Sequence, residues 1–132
     1  MKFMSVAKTE EIPIGTMKHV EISGKEIMIA NVKGRYYGLN DRCGHMNMRL
    51  SAGTLTENIV TCPLHYSRFD VMTGKVVSGP HIVTIEELKK YNLSDEMLKM
   101  VDQMNASMRA IKTYDLTTFR IQIKDNDIMV YV

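Results

Sequence analysis

The 132-residue sequence has no tryptophan, three prolines and two cysteines, and its 17 Lys and Arg nearly cancel its 15 Asp and Glu, leaving a formal charge of +2. Each shortage excludes something. Two cysteines are too few for the several disulfide pairs that staple small secreted folds. A charge this close to balance does not drive nucleic-acid binding by counterion release. No run reaches the roughly 20 apolar residues that cross a bilayer, and the opening MKFMSVAKTEEIPIG alternates in polarity without a signal-peptide core. A soluble, cytoplasmic protein with no nucleic-acid and no membrane partner is therefore expected. No GxGxxG nucleotide fingerprint is present. What is there is enough apolar residue, 45%, to bury one core, so a single domain over 1–132 is expected. The twelve Met residues are flexible gap fillers and carry no functional weight.

The first 40 residues read as a meander of short antiparallel strands. Val20 and Ile22 share a face before Ser23-Gly24, Ile27 and Ile29 follow, and Lys33-Gly34 separates them from Arg35-Tyr36-Tyr37-Gly38-Leu39. At the far end, Phe119, Ile121 and Ile123 alternate up to Asp125-Asn126, and Ile128, Val130 and Val132 alternate after it, which predicts a closing hairpin. Between them lies one helical segment, about 86–112, where Met97, Val101, Met104, Met108 and Ile111 recur at steps of four and three. Ser94 is its expected N-cap, and Glu86 to Tyr91 add a short helical turn. Its charges cancel, five against five. The reading adopted is a helix packed by its Met face on the sheet, the alternative being a helix that docks a partner.

Residues 41–80 differ from both flanks. They hold both cysteines, two of the four histidines and two of the three prolines, on loops hung from short strands. Cys43-Gly44-His45 and Cys62-Pro63-Leu64-His65 each pair a thiolate donor with an imidazole donor, and 16 residues lie between His45 and Cys62. A lone Cys or His is usually core filler, but four donors in two such pincers exceed what packing requires. Thiolate and imidazole suit zinc as well as iron. Structural zinc sites usually separate a Cys pair from a His pair, whereas here each loop offers one ligand of each kind. That mixed order suits an asymmetric two-iron, two-sulfide cluster, with both thiolates on one iron and both imidazoles on the other.

The pattern Cys43-x-His45 with Cys62-x-x-His65 resembles the Rieske signature. The likeness extends to Leu50, Gly53, Ile59-Val60, Pro63, Phe69, Thr73-Gly74 and Pro80, where soluble Rieske-type ferredoxins carry equivalent residues. It covers about 20–80 well and the final hairpin loosely. The resemblance implies an all-β fold, a Rieske-like antiparallel β-sandwich with a small cluster-binding subdomain, about 41–80, and here one inserted helical segment. It further implies a Rieske [2Fe-2S] cluster, one per chain, ligated by Cys43, His45, Cys62 and His65 beside a Ser78-Gly79-Pro80 loop. Membrane-anchored members carry two more cysteines, and Met48 and Leu64 stand at those positions, so the ferredoxin branch is the one resembled. Ser67 matches a serine that donates to cluster sulfur in the high-potential branch, while Phe69 replaces a tyrosine that also donates. Within the roughly −150 to +300 mV span of such centres, a potential in the lower half follows.

The leading functional expectation is a one-electron carrier between a reductase and an acceptor such as an oxygenase, docking around His45, Met46, Leu64, His65 and Pro80. Alternatives are a permanently bound small subunit of a larger reductase or oxygenase, joined through 86–112, and a zinc-stabilised interaction module. A catalytic oxygenase would need a further mononuclear iron held by two His and a carboxylate. Only His19 and His81 are left over, without suitable spacing.

Overall fold

From Ile27 to Val32 every residue of strand β3 (Lys25–Val32) is buried. A strand covered on both faces has no solvent side, so this stretch is apolar on both faces rather than alternating, and its one polar residue, Asn31, is satisfied by Ile12 O and the Gly34 N–H. This one strand reveals the layering of the computed structural model, which describes residues 1–45, 47–82 and 84–132. β3 is central in an antiparallel sheet with β2 (Met17–Ile22), β4 (Arg35–Asn40) and β9 (Thr118–Phe119), in the order β2-β3-β4-β9.

On one face of that sheet, Ile27 and Ile29 join Ile12, Val20, Ile128 and Val130 in a core. It is closed by β1 (Phe3–Lys8), β10 (Ile121–Lys124) and β11 (Asp127–Tyr131), with β11 in the middle. On the other face, Met28, Ala30 and Val32 join Leu39, Leu50, Val60, Phe69 and Val71 in a second core that also takes in Cys43 and Cys62. The antiparallel sheet over it runs β5 (Thr54–Thr56), β6 (Ile59–Thr61), β7 (Arg68–Asp70) and β8 (Val76–Ser78). Cys43 and Cys62 thus share a core with the central sheet, which fixes the base of each loop.

The expected hairpins form. Ser23 and Gly24 turn β2 into β3 with φ of 52° and 74°, the left-handed pair that matches the twist of the strands it joins. The closing hairpin forms between β10 and β11 across Asp125-Asn126, but Phe119 is not on it. Phe119 pairs with Gly38 at the edge of the central sheet, and the outer partner of β11 is β1, which brings the two chain ends together.

The helical segment contains α1 (Ile85–Leu88), a 3-10 turn at Lys89–Tyr91 and α2 (Asp95–Ala110). Ser94 caps α2 as expected, its side chain accepting a hydrogen bond from the Met97 N–H at 3.3 Å. The expectation that α2 packs its Met face on the sheet is not met. Met97, Met100 and Met104 are 52%, 64% and 59% exposed, and only Asn105 and Met108 of α2 are buried. Both cores are already closed by a facing sheet, so no apolar sheet surface is left for the helix. Among the described residues no helix is long and apolar enough to cross a membrane.

Candidate metal centre

The two donor-bearing loops leave β4 and β6 and share one backbone design. In the first, Cys43 N–H donates to Met48 O at 2.6 Å and Asn47 N–H donates back to Cys43 O at 3.0 Å. In the second, Cys62 N–H donates to Ser67 O at 2.8 Å and Tyr66 N–H donates to Cys62 O at 3.1 Å. Each loop therefore closes on its cysteine five residues later, through a left-handed residue four positions on, Asn47 at φ 58° and Tyr66 at φ 64°. Asn tolerates that conformation, but a bulky Tyr does so only when its surroundings hold it there.

Both cysteines are free and buried, at 5% and 1% exposure. Their sulfurs sit among amide hydrogens. His45 N–H donates to Cys43 Sγ at 3.4 Å, and the N–H groups of Leu64 and His65 point at Cys62. Burial pushes the Cys62 thiol up and the neighbouring Cys43 adds to this, against the pull of those two amides. A buried sulfur pair of this kind is stable as thiolates when a cation sits between them.

The imidazoles of His45 and His65 meet edge to face, with ring centroids 5.8 Å apart and planes at 85°. Three buried side-chain polar atoms lack a partner among the described residues: Nδ1 of His45, Nδ1 of His65 and Oγ of Ser67. Each such orphan costs about 1–3 kcal/mol. That all three belong to these loops is the signature of a group that partners them.

Spacing separates one metal from two. In a tetrahedral zinc site, bonds of about 2.0–2.3 Å put neighbouring ligand atoms roughly 3.5 Å apart. Among the described residues, the trio of ligand atoms lying within 4.8 Å of one another is His19, Glu21 and Glu26, and no trio drawn from Cys43, His45, Cys62 and His65 does so. The donors converge, yet too widely for one zinc. They fit a larger unit with a sulfur end and an imidazole end.

His19, Glu21 and Glu26 are themselves occupied. Arg42 donates to both oxygens of Glu26 at 2.7 and 2.8 Å, and Arg49 reaches Glu21 and Glu26 at 3.4 Å. His19 Nδ1 meets Asp41 at 2.5 Å, and the fully buried Asp41 also accepts from the Ser51 amide and hydroxyl. This network ties the base of the first loop to β2. Burial lowers the His19 pKa, but the Asp41 and Glu21 carboxylates outweigh it, and the net direction is upward. His81 is elsewhere, its N–H bonded to His65 O at 2.8 Å and its ring 3.6 Å from Glu87, so the two spare histidines do not form a second metal site.

The segment after α2 was missed in the sequence. Tyr114 N–H donates to Gly44 O at 2.9 Å, Leu116 N–H to Gly74 O at 2.7 Å, and Asp115 accepts from Val76 N–H at 2.9 Å. It straps the first loop to β8. The available signal was Gly44 itself, since a Cβ there would lie 2.0 Å from Tyr114 O. Above the site, His45 Nε2 lies 3.3 Å from Met108 O of α2. Met48 and Leu64 are 37% and 44% exposed, and Met46, expected at the docking surface, lies outside the described residues.

Comparison with known proteins gives the family and the fold. The Rieske [2Fe-2S] domain family matches residues 2–115. The chain is 33% identical over 102 residues to the ferredoxin component of the naphthalene 1,2-dioxygenase/salicylate 5-hydroxylase systems of Ralstonia sp, covering 77% of this chain and 95% of that protein. Its fold matches the ferredoxin of carbazole 1,9a-dioxygenase from Nocardioides aromaticivorans IC177 with a TM-score of 0.71 at 18% identity, covering 98% and 97% of the two chains. It also matches a chain in the complex of reduced oxygenase and oxidized ferredoxin of carbazole 1,9a-dioxygenase, with a TM-score of 0.70 at 22% identity over 97% and 91%.

Proposed function

The chain belongs to the Rieske [2Fe-2S] domain family, and from that premise we propose that Cys43 and Cys62 hold one iron of its cluster and His45 and His65 the other. Its cofactor is the Rieske [2Fe-2S] cluster, which when bound supplies exchange of a single electron. The chain is an electron-transfer component and not itself an enzyme. The observation that carries the ligand assignment is the pair of buried, unpartnered Nδ1 atoms beside two buried sulfurs.

The residues divide the work. Cys43 and Cys62 anchor the sulfur end inside the core, where Phe69 and Leu50 exclude water. The amide hydrogens of His45, Leu64 and His65 lean on those sulfurs and favour the extra negative charge of the reduced state. Ser67 Oγ, buried and otherwise unpartnered, supplies a further donor. Replacing it by Ala lowers the reduction potential and leaves the visible spectrum intact. A voltammetric titration of S67A that returned the parent potential would remove Ser67 from this role.

The electron donor is a reductase and the acceptor an oxygenase, working in the cytoplasm. The relatives named above as ferredoxin components of dioxygenase and hydroxylase systems support this reading. The decisive measurement on purified protein combines iron analysis with electron paramagnetic resonance of the reduced form. Two irons per chain and the spectrum of a mixed sulfur and nitrogen centre are expected. A colourless zinc protein, or iron ligated by four sulfurs, overturns it. The exposed Met97, Met100 and Met104 favour a second reading, a subunit held permanently in a larger complex. Gel filtration of native material separates the two.

A further inference from the structure

The two imidazoles proposed as ligands occupy different environments. His45 is only 7% exposed, whereas His65 is half-buried and forms part of an open groove of 420 Å³ with Met100, Met104, Met108 and Ile111. The cause is α2. Its last turns lie over His45, with Met108 buried and the Met108 carbonyl 3.3 Å from His45 Nε2.

The tautomer follows from the other nitrogen. His45 Nδ1 is buried without a partner and is the atom free to bind a metal, so Nε2 carries the proton and donates it to Met108 O. A ligand imidazole is oriented and made more basic by such a bond. The helix has few other anchors, since Asn105 and Met108 are its buried residues and its remaining Met side chains stand in solvent. Its long dimension therefore serves the contact with the first cluster loop better than it serves the core.

We propose that α2 is a cap on His45, positioned by the Met108 carbonyl, which closes that imidazole to solvent and leaves the His65 imidazole open. The proposal rests on the ligand assignment above. It makes the centre one-sided: a reagent arriving from solvent meets the imidazole at His65 and the helix at His45.

The test is acylation of the oxidised, cluster-loaded protein by diethyl pyrocarbonate at one pH, followed by peptide mass mapping. His81, at 55% side-chain exposure, provides the reference for an open imidazole. In the parent protein His45 reacts about tenfold more slowly than His65, or slower, as a site that reacts only through local opening does. Equal rates in the parent protein overturn the cap. The variant Ala106→Pro, at an exposed site one turn before Arg109, breaks α2 without changing charge. His45 then reacts at the His65 rate, and the reduction potential rises because the bond that strengthened His45 as a ligand is gone. Continued protection of His45 in A106P, with α2 melted by amide exchange, overturns the proposal. If A106P fails to hold its cluster, the ratio in the parent protein decides alone. Failure of the ligand assignment is read separately, from the resonance spectrum of the parent protein before any reagent is added.

Discussion

The donor-bearing loops and the helical segment touch at His45, yet they are built on opposite principles. Among the described residues of 41–48 and 62–67 there is no helix or strand, and the main chain of each loop is bonded inward at its cysteine. The helical segment is regular and properly capped, but two residues of α2 are its buried anchors. Regularity and rigidity are therefore separate properties. A segment is stiff where opening it would expose buried apolar atoms and break buried hydrogen bonds, and α2 meets these conditions only in its last turns, at Asn105, Met108 and the bond to His45.

Substitutions on the two sides should differ accordingly. The largest effect is expected from Cys62→Ser, which removes a thiolate from a 1% exposed site and abolishes cluster assembly, seen as complete loss of visible absorption. Phe69→Ala comes next. Phe69 is fully buried under the loops, and truncation should cost about 3–5 kcal/mol in denaturant unfolding. A loss under 1 kcal/mol would show that the loops are not held by the core beneath them.

A smaller effect is expected at the base of the first loop. The folded-state pKa of His19 is raised, so its contribution is fully present below the unfolded value of about 6.5 and is lost as pH rises through the folded value. The stability gap between the parent and His19→Gln should be widest below the unfolded value of about 6.5 and narrow as pH rises through the raised folded-state value. A gap that widened with pH would reverse the sign of the Asp41 contact. Smallest is Ser94→Ala at the α2 cap, expected to cost the helix about 1 kcal/mol. Amide exchange should quicken within α2 while the core strands keep their protection, and uniform quickening would join the two regions into one cooperative unit.

Much of this was legible in the residues. Ser23-Gly24, Lys33-Gly34 and Asp125-Asn126 are turn pairs whose chemistry is local, and each turns a hairpin in the structure. Ser94 acts within four residues of itself and was equally plain. The side of α2 that packs was not legible, because a 3.6-residue period marks an apolar face without saying whether a surface remains to receive it. Phe119 followed the alternation of the last hairpin but pairs with Gly38, a contact 81 positions away that no local pattern encodes. The need for glycine at position 44 is illegible for the same reason, since its constraint comes from Tyr114 O, 70 positions away.

By itself the sequence determined that each of two loops carries one thiol and one imidazole, since that chemistry resides in the side chains and their spacing resides in the chain. Only the tertiary structure decided that the central sheet is covered on both faces, that the donors spread too widely for a single zinc, and that a carbonyl from α2 reaches one imidazole and not the other. Those are relations between segments far apart in the chain. They are set by which apolar surfaces remain to be covered once the sheets have closed on each other, a quantity that exists only in the folded molecule.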